Sequence, residues 1–178
     1  MRYQTALAVA AAWGLLACNA ALADDSGRHI AQSLADTKVS LRDAIRTAEK
    51  EGNGLAVGAD YEFKGGNPAF YEVKVLSNDG RKLTRYDINP ATGKVKDSSD
   101  AKLEKLLTRI KPEAVRNAQT SLTRAITTAE ERAHGRAYSA DVDRDGDQVK
   151  YTVKVVRRDG TEEKVKINGA DGKVASAE

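Results

Sequence analysis

The 178-residue chain is poor in sulfur and indole: it has one Cys, one Met and one Trp, at Cys18, Met1 and Trp13. A lone cysteine excludes a disulfide framework, CxxCH haem attachment and any zinc site built from paired cysteines. No charge sign dominates either, with 29 Lys+Arg against 26 Asp+Glu spread along the chain. That balance argues against nucleic acid or an acidic membrane surface as the main partner. The one long apolar stretch runs from Thr5 to Ala17. It is too short to be a membrane span.

That stretch follows a single charge at Arg2 and ends in small residues at Ala21-Leu22-Ala23. The arrangement reads as a secretory signal peptide over residues 1–23, cleaved after Ala23. Leu15-Leu16-Ala17-Cys18 offers an alternative, the lipobox of a bacterial lipoprotein. Processing there would acylate Cys18 and anchor the protein to a membrane facing the periplasm. With cleavage at Ala23 the location is the periplasm itself. The remaining 155 residues then hold no Cys, Met or Trp, which removes thiol chemistry altogether.

The chain repeats itself. SLRDAIRTAE from Ser40 recurs as SLTRAITTAE from Ser121, and Tyr71-Glu72-Val73-Lys74-Val75 recurs as Tyr151-Thr152-Val153-Lys154-Val155. Asp79-Gly80 matches Asp159-Gly160, and Asn89 to Val95 matches Asn168 to Val174. Matches in one order with single-residue slips in turn regions mean duplication.

Each copy reads as a helix followed by strands. Leu41, Ala44, Ile45 and Ala48 fall on one helical face, as do Leu122, Ala125, Ile126 and Ala129. Ser40 with Asp43 starts the first helix as a capping box and Gly52 is its expected stop; the second ends near Gly135. The alternating Tyr-x-Val-x-Val runs are half-buried antiparallel strands, and the Asp-Gly pairs are expected to supply the positive φ angles of tight hairpin turns. Between the copies, Leu103, Leu106, Leu107 and Ile110 predict one amphipathic helix, stopped before Pro112, that docks the copies together. The expected fold is α+β. It comprises a lead-in at 24–36, weakly helical or disordered, a module at 37–97, a connecting helix within 98–117 and a second module at 118–178. Each module is a helix on a three- to four-stranded antiparallel sheet.

The order of these motifs, ending in Asn-x-x-x-Gly-Lys-Val, resembles the PepSY domain, here in tandem. The family pattern usually carries an acidic residue near the start of the last turn; this chain has Asp87 in the first copy and Lys166 at the aligned place in the second. The resemblance implies an exported module without catalytic residues. Such modules occur in propeptides of secreted metallopeptidases and in envelope proteins, where inhibition or regulation of peptidases has been proposed.

Other chemistry is weakly signalled. Asp141, Asp143, Asp145 and Asp147 form a D-x-D-x-D-G-D string like half of a calcium loop, but position twelve is Thr152 within a strand, so an acidic hairpin explains it more simply. His29 and His134 form no visible pair. No G-x-S-x-G surrounds a serine, and Gly65-Gly66-Asn67-Pro68 is a hairpin loop rather than a phosphate cradle. Arg81-Lys82 and Arg157-Arg158 read as solvated charges beside the turns. The expectation is therefore a non-enzyme with no cofactor, acting by contact with a protein or peptide. Its contact surface is either an open sheet face carrying Glu72, Lys74, Thr152, Lys154, Phe70, Leu76 and Val156 or an unpaired edge strand. The alternative is an envelope sensor that binds a small ligand or a metal ion.

Overall fold

A computed structural model describes residues 25–63 and 68–178. The signal segment, with Cys18 and Ala23, lies outside the described residues, as do three members of the Gly65-Gly66-Asn67-Pro68 loop. In chain order come α1 (Asp25–Ala35), α2 (Leu41–Gly52), β1 (Gly54–Glu62), β2 (Phe70–Ser77), β3 (Leu83–Ile88) and β4 (Val95–Asp100). Two short helices follow, α3 (Leu103–Leu107) and α4 (Pro112–Arg116). The second copy supplies α5 (Leu122–Ala133), β5 (Arg136–Asp145), β6 (Gln148–Val156), β7 (Glu162–Asn168) and β8 (Val174–Ala177).

The helical stripes seen in the sequence are the buried faces. Ala44, Ile45 and Ala48 under α2, and Ala125, Ile126 and Ala129 under α5, are wholly inaccessible and pack on Val73, Val75, Val153 and Val155 in one shared core. Alanine at the contact lets the helix backbone approach the sheet, while each buried Ile contributes about 1.5–3 kcal/mol. Both helices start on a serine whose hydroxyl accepts a backbone N–H three residues on. Only α2 has the reciprocal bond, from the Ser40 N–H to Asp43, because Arg124 stands at that place in α5. The helices stop where expected, α2 at Gly52 and α5 just before Gly135. The left-handed residues are Asn53 and His134, at φ 45 and 54°, not the glycines. Gly54 and Gly135 are needed one residue later, where a Cβ would lie 2.2 Å from the Leu76 carbonyl oxygen and 2.5 Å from that of Val156.

Two further devices are repeated. The N–H of Ala56 donates to Glu49 at 3.0 Å and that of Ala137 to Glu130 at 3.0 Å, tying each helix to a β-bulge in the strand that follows. The buried Tyr71 hydroxyl donates to the Val39 carbonyl at 2.7 Å, and Tyr151 donates likewise to Thr120, fixing the residue before each N-cap serine. The Asp-Gly turns supply positive φ as expected, but at one residue each. Gly80 and Gly160 alone are left-handed, while Asp79 and Asp159 instead accept the N–H two residues on, so each loop is a longer Asx-type turn.

The copies do not keep separate sheets. β1 and β5 pair antiparallel, giving one eight-stranded sheet of order β4-β3-β2-β1-β5-β6-β7-β8. Ala59 opposes Ala140, its own counterpart in the duplication, while Gly58 opposes Asp141 and Asp60 opposes Ser139. That register is self-complementary, as in a two-fold dimer interface, so a pseudo-two-fold axis passes through the Ala59/Ala140 pair. Helices α2 and α5 lie on the same face and meet at the axis, where Arg42 reaches Thr127 at 3.0 Å and Glu130 at 3.4 Å.

The connecting segment departs from the expected single helix. Residues 95–100 continue as β4, and Lys111, held extended at φ −96°, ψ 127° by the proline that follows, separates α3 from α4. Leu106, Ile110 and Val115 are buried in the common core, but Leu107 is 47% exposed. The lead-in is a true helix whose Leu34 is 1% exposed. The packing is reciprocal: α1 lies on β5 and β6 of the second copy, and Arg116 of α4 reaches back to the Asn78 carbonyl in the Asp-Gly loop of the first.

Candidate functional site

With both long helices on one side, the opposite face of the sheet presents the alternate residues of every strand. The pairing register arranges them in rows. One row runs Asp97, Asp87, Glu72, Asp60 through the first copy and continues as Ser139, Lys154, Lys164 in the second. The neighbouring row runs Ser99, Arg85, Lys74, Gly58, then Asp141, Thr152, Lys166, Ser176. The first row is thus anionic over four strands and cationic beyond the axis. Like charges directly opposite on a sheet are destabilising, so four successive carboxylates are a feature to be explained.

The neighbouring row partly offsets them. Glu72 is 2.9 Å from Lys74 and 3.6 Å from Arg85, and Arg85 is 3.5 Å from Asp87. The side chains of Glu72 and Asp87 are only 17% and 14% exposed. Oδ1 of Asp87 is covered and accepts no hydrogen bond. Burial raises its pKa, Arg85 opposes that, and Glu72 and Asp97 add to the rise. At the axis, burial and then the Asp60 carboxylate push Asp141 up against the lowering effect of Arg109. Burial works against the Lys74 ammonium, but its hydrogen bond to Glu72 and the carboxylates around it prevail and its pKa rises. Asp60 accepts a hydrogen bond from Ser139 at 2.7 Å, joining the copies across the axis.

The predicted surface residues are divided by the structure. Glu72, Lys74, Thr152 and Lys154 share the open face as expected. Leu76 and Val156, by contrast, are buried at the sheet ends, leaving Phe70 half-buried with Lys96 above its ring at 5.9 Å. The contact between copies is edge to edge, so it leaves this face uncovered. The aspartate string is also split. Asp143 lies 2.7 Å from Arg109, with Asp141 4.0 Å from the same group, and Asp147 is 2.9 Å from Lys111, with Asp145 beside the hairpin turn at Gly146. Among the described residues no three His, Cys, Asp or Glu side chains are grouped to hold a metal ion. His29 sits on α1 and His134 at the end of α5. Arg157 is not merely solvated: it donates to the last α5 carbonyl, Ala133, at 2.7 Å and pairs with Glu163 at 2.5 Å. Asp60, Asp97 and Lys164 belong to the face yet carry no motif, and only the register across strands brings them together; Arg109 reaches it from the turn after α3 through Asp143.

The architecture defines a duplicated helix-on-sheet module with a charge-polarised open face. The chain belongs to the PepSY family, described as peptidase propeptide and YPEB domain, whose profile matches residues 38–98 and 120–178. No curated protein matches it. Among solved structures it is similar to a putative lipoprotein from Clostridium difficile 630 at 20% identity and a TM-score of 0.47, over 80% of this chain and 94% of that one. It is also similar to the YpmB protein from Bacillus subtilis at 16% identity and a TM-score of 0.32, over 76% and 94%. Among the described residues no helix is long and apolar enough to cross a membrane.

Proposed function

We propose that this protein is an exported, non-catalytic regulator that acts by contact with a peptidase, using the open face of its sheet. The observation that carries the reading is the double match to a peptidase-propeptide family, with both copies fused into one sheet whose second face is left uncovered. A partner with a basic patch beside an acidic one would meet the polarised row in register, and charge complementarity of this kind sets orientation and association rate more than affinity. The segment ending at Ala23 would deliver the protein to the periplasm, and acylation at Cys18 would tether it there; the intact mass of the mature protein separates the two.

The test is inhibition of secreted metallopeptidases from the same organism by the purified protein. Saturable inhibition is expected, weakened about tenfold by reversing Asp97 and Lys154, which lie on opposite halves of the row. If no peptidase is inhibited and none is retained on the immobilised protein, the reading fails.

A further inference from the structure

The cavity beside the second copy differs in kind from the matching recess beside the first. It lies between α1, the C-terminal end of α5 and the end of β6, and holds about 550 Å3. Ala31, Leu34, Ala35 and Val156 supply its apolar lining, Glu130 its carboxylate, and Arg136, Arg157, Arg158 and His134 its rim. The duplication puts Leu55, Ser77, Asn78 and Asn53 at the places of those four rim residues. The recess at Leu55 holds only about 100 Å3. Since the first copy builds the same helix, bulge and turn without these groups, the common fold does not demand them.

The negative groups nearby are already engaged. Glu130 accepts from the Ala137 N–H at 3.0 Å and lies 3.4 Å from Arg42. Glu163 faces Arg157, which also satisfies the Ala133 carbonyl. Arg136 donates to the Leu34 carbonyl and, at 2.9 Å, to the Thr37 hydroxyl, and so holds α1 over the cavity. Arg136 and Arg157 each have five N–H donors and spend two of them here. Arg158 is exposed and makes no hydrogen bond or ion pair among the described residues. The result is a concave apolar site of ligand size with uncommitted guanidinium donors at its mouth, the geometry that matches a carboxylate.

We propose that this cavity binds an organic carboxylate with an apolar tail. The carboxylate is held by Arg158 with the remaining donors of Arg136 and Arg157, and the tail rests on Leu34 and Val156. This goes beyond contact through the open face and does not depend on it. The same chemistry is offered by the C-terminal residue of a peptide and by a free fatty acid.

Calorimetry on the processed protein decides it, with N-acetyl-leucyl-leucine, its C-terminal amide and octanoate as probes. At least one acid is expected to bind, and the amide at least tenfold more weakly than its acid. Arg158→Asn, which installs the first copy's residue, should cost about tenfold in affinity without moving the unfolding midpoint of the free protein. Ala31→Phe, at the edge of the same cavity, should block the tail. Binding of octanoate alone assigns a fatty acid, and binding of the dipeptide alone assigns a peptide end. If neither acid binds at roughly 10 mM, if acid and amide bind equally, or if Arg158→Asn changes nothing, the site is not a carboxylate site.

Discussion

Asp87 and Lys166 occupy the same place on the same strand of the two copies, one carboxylate and one ammonium above equivalent turns. Around them the backbone devices are held in common: N-cap serine, helix-to-bulge carboxylate, buried tyrosine and Asx turns. What differs is the outward face, where Glu72, Asp87 and Asp97 of the first copy are matched at equivalent places by Thr152, Lys166 and Ser176 of the second. The rim of the cavity at the end of α5 differs as well. Core positions such as Tyr61 and Val142, or Tyr86 and Val165, changed between apolar or aromatic residues, whereas these outward positions changed in charge. The changes of charge mark the surfaces on which the copies diverged.

The largest expected effects test the shared part. Ile45→Ala and Ile126→Ala each empty a fully buried site under a helix, and each should cost about 2–5 kcal/mol. Because β1 and β5 join the halves and the core is continuous, urea unfolding followed by circular dichroism should show one transition, lowered similarly by either substitution. Two transitions, each sensitive to one substitution only, would show that the copies are independent domains.

A smaller effect separates the copies. Gly80 and Gly160 are both left-handed, at φ 71 and 88°, so alanine at either carries a cost of about 1–2 kcal/mol. At Gly80 the new Cβ would come no closer than 3.0 Å to the end of the flexible Arg116 side chain. At Gly160 it would lie 2.9 Å from the backbone nitrogen of Arg28, against which the helix must retreat. Gly27 makes the same contact from the other side, with its Cβ position 2.1 Å from the Gly160 carbonyl oxygen. Gly160→Ala should therefore cost about 1 kcal/mol more than Gly80→Ala and speed hydrogen exchange throughout α1. Equal costs with α1 still protected would mean that the turn does not seat the helix.

Why some of this was legible in the sequence follows from how far each signal reaches. The α2 and α5 stripes and the Tyr-x-Val-x-Val strands are local periodicities, and duplication gave each an independent copy. The β1 and β5 strands carry a bulge at Val57 and Tyr138 that breaks the alternation, and only the recurrence of Gly54, Ala56, Ala59 and Asp60 as Gly135, Ala137, Ala140 and Asp141 could have exposed them. Their pairing rests on three residues at the axis, too few to read as an edge interface. Arg157 and Arg158 read as solvated turn charges because the helix that walls their cavity lies more than a hundred residues earlier. Pro112 marks in sequence the end of one helix, whereas in the fold it opens another.

The smallest effect bears on the outward row. Asp87 sits between Glu72 and Asp97, and its folded pKa is raised first by burial and then by those carboxylates, against Arg85. An acid whose folded pKa lies above its unfolded value lowers stability as pH rises through that interval, because the folded state then gives up a proton it held more tightly. At neutral pH the penalty is fully present; below the unfolded pKa it vanishes. Asp87→Asn should thus stabilise the protein at neutral pH by about 0.2–1 kcal/mol, and the gain should fade as the solution is taken toward pH ~4. Lys166→Asn, at the matching place, loses only a 3.0 Å surface pair with Glu178, so its effect should stay within about 0.5 kcal/mol. Denaturant midpoints of the two variants at both pH values make the comparison. Loss of stability in Asp87→Asn at neutral pH would mean that the ion pair to Arg85 outweighs the crowding of carboxylates, and the anionic half of the face would then be a balanced surface rather than one waiting for an opposite charge.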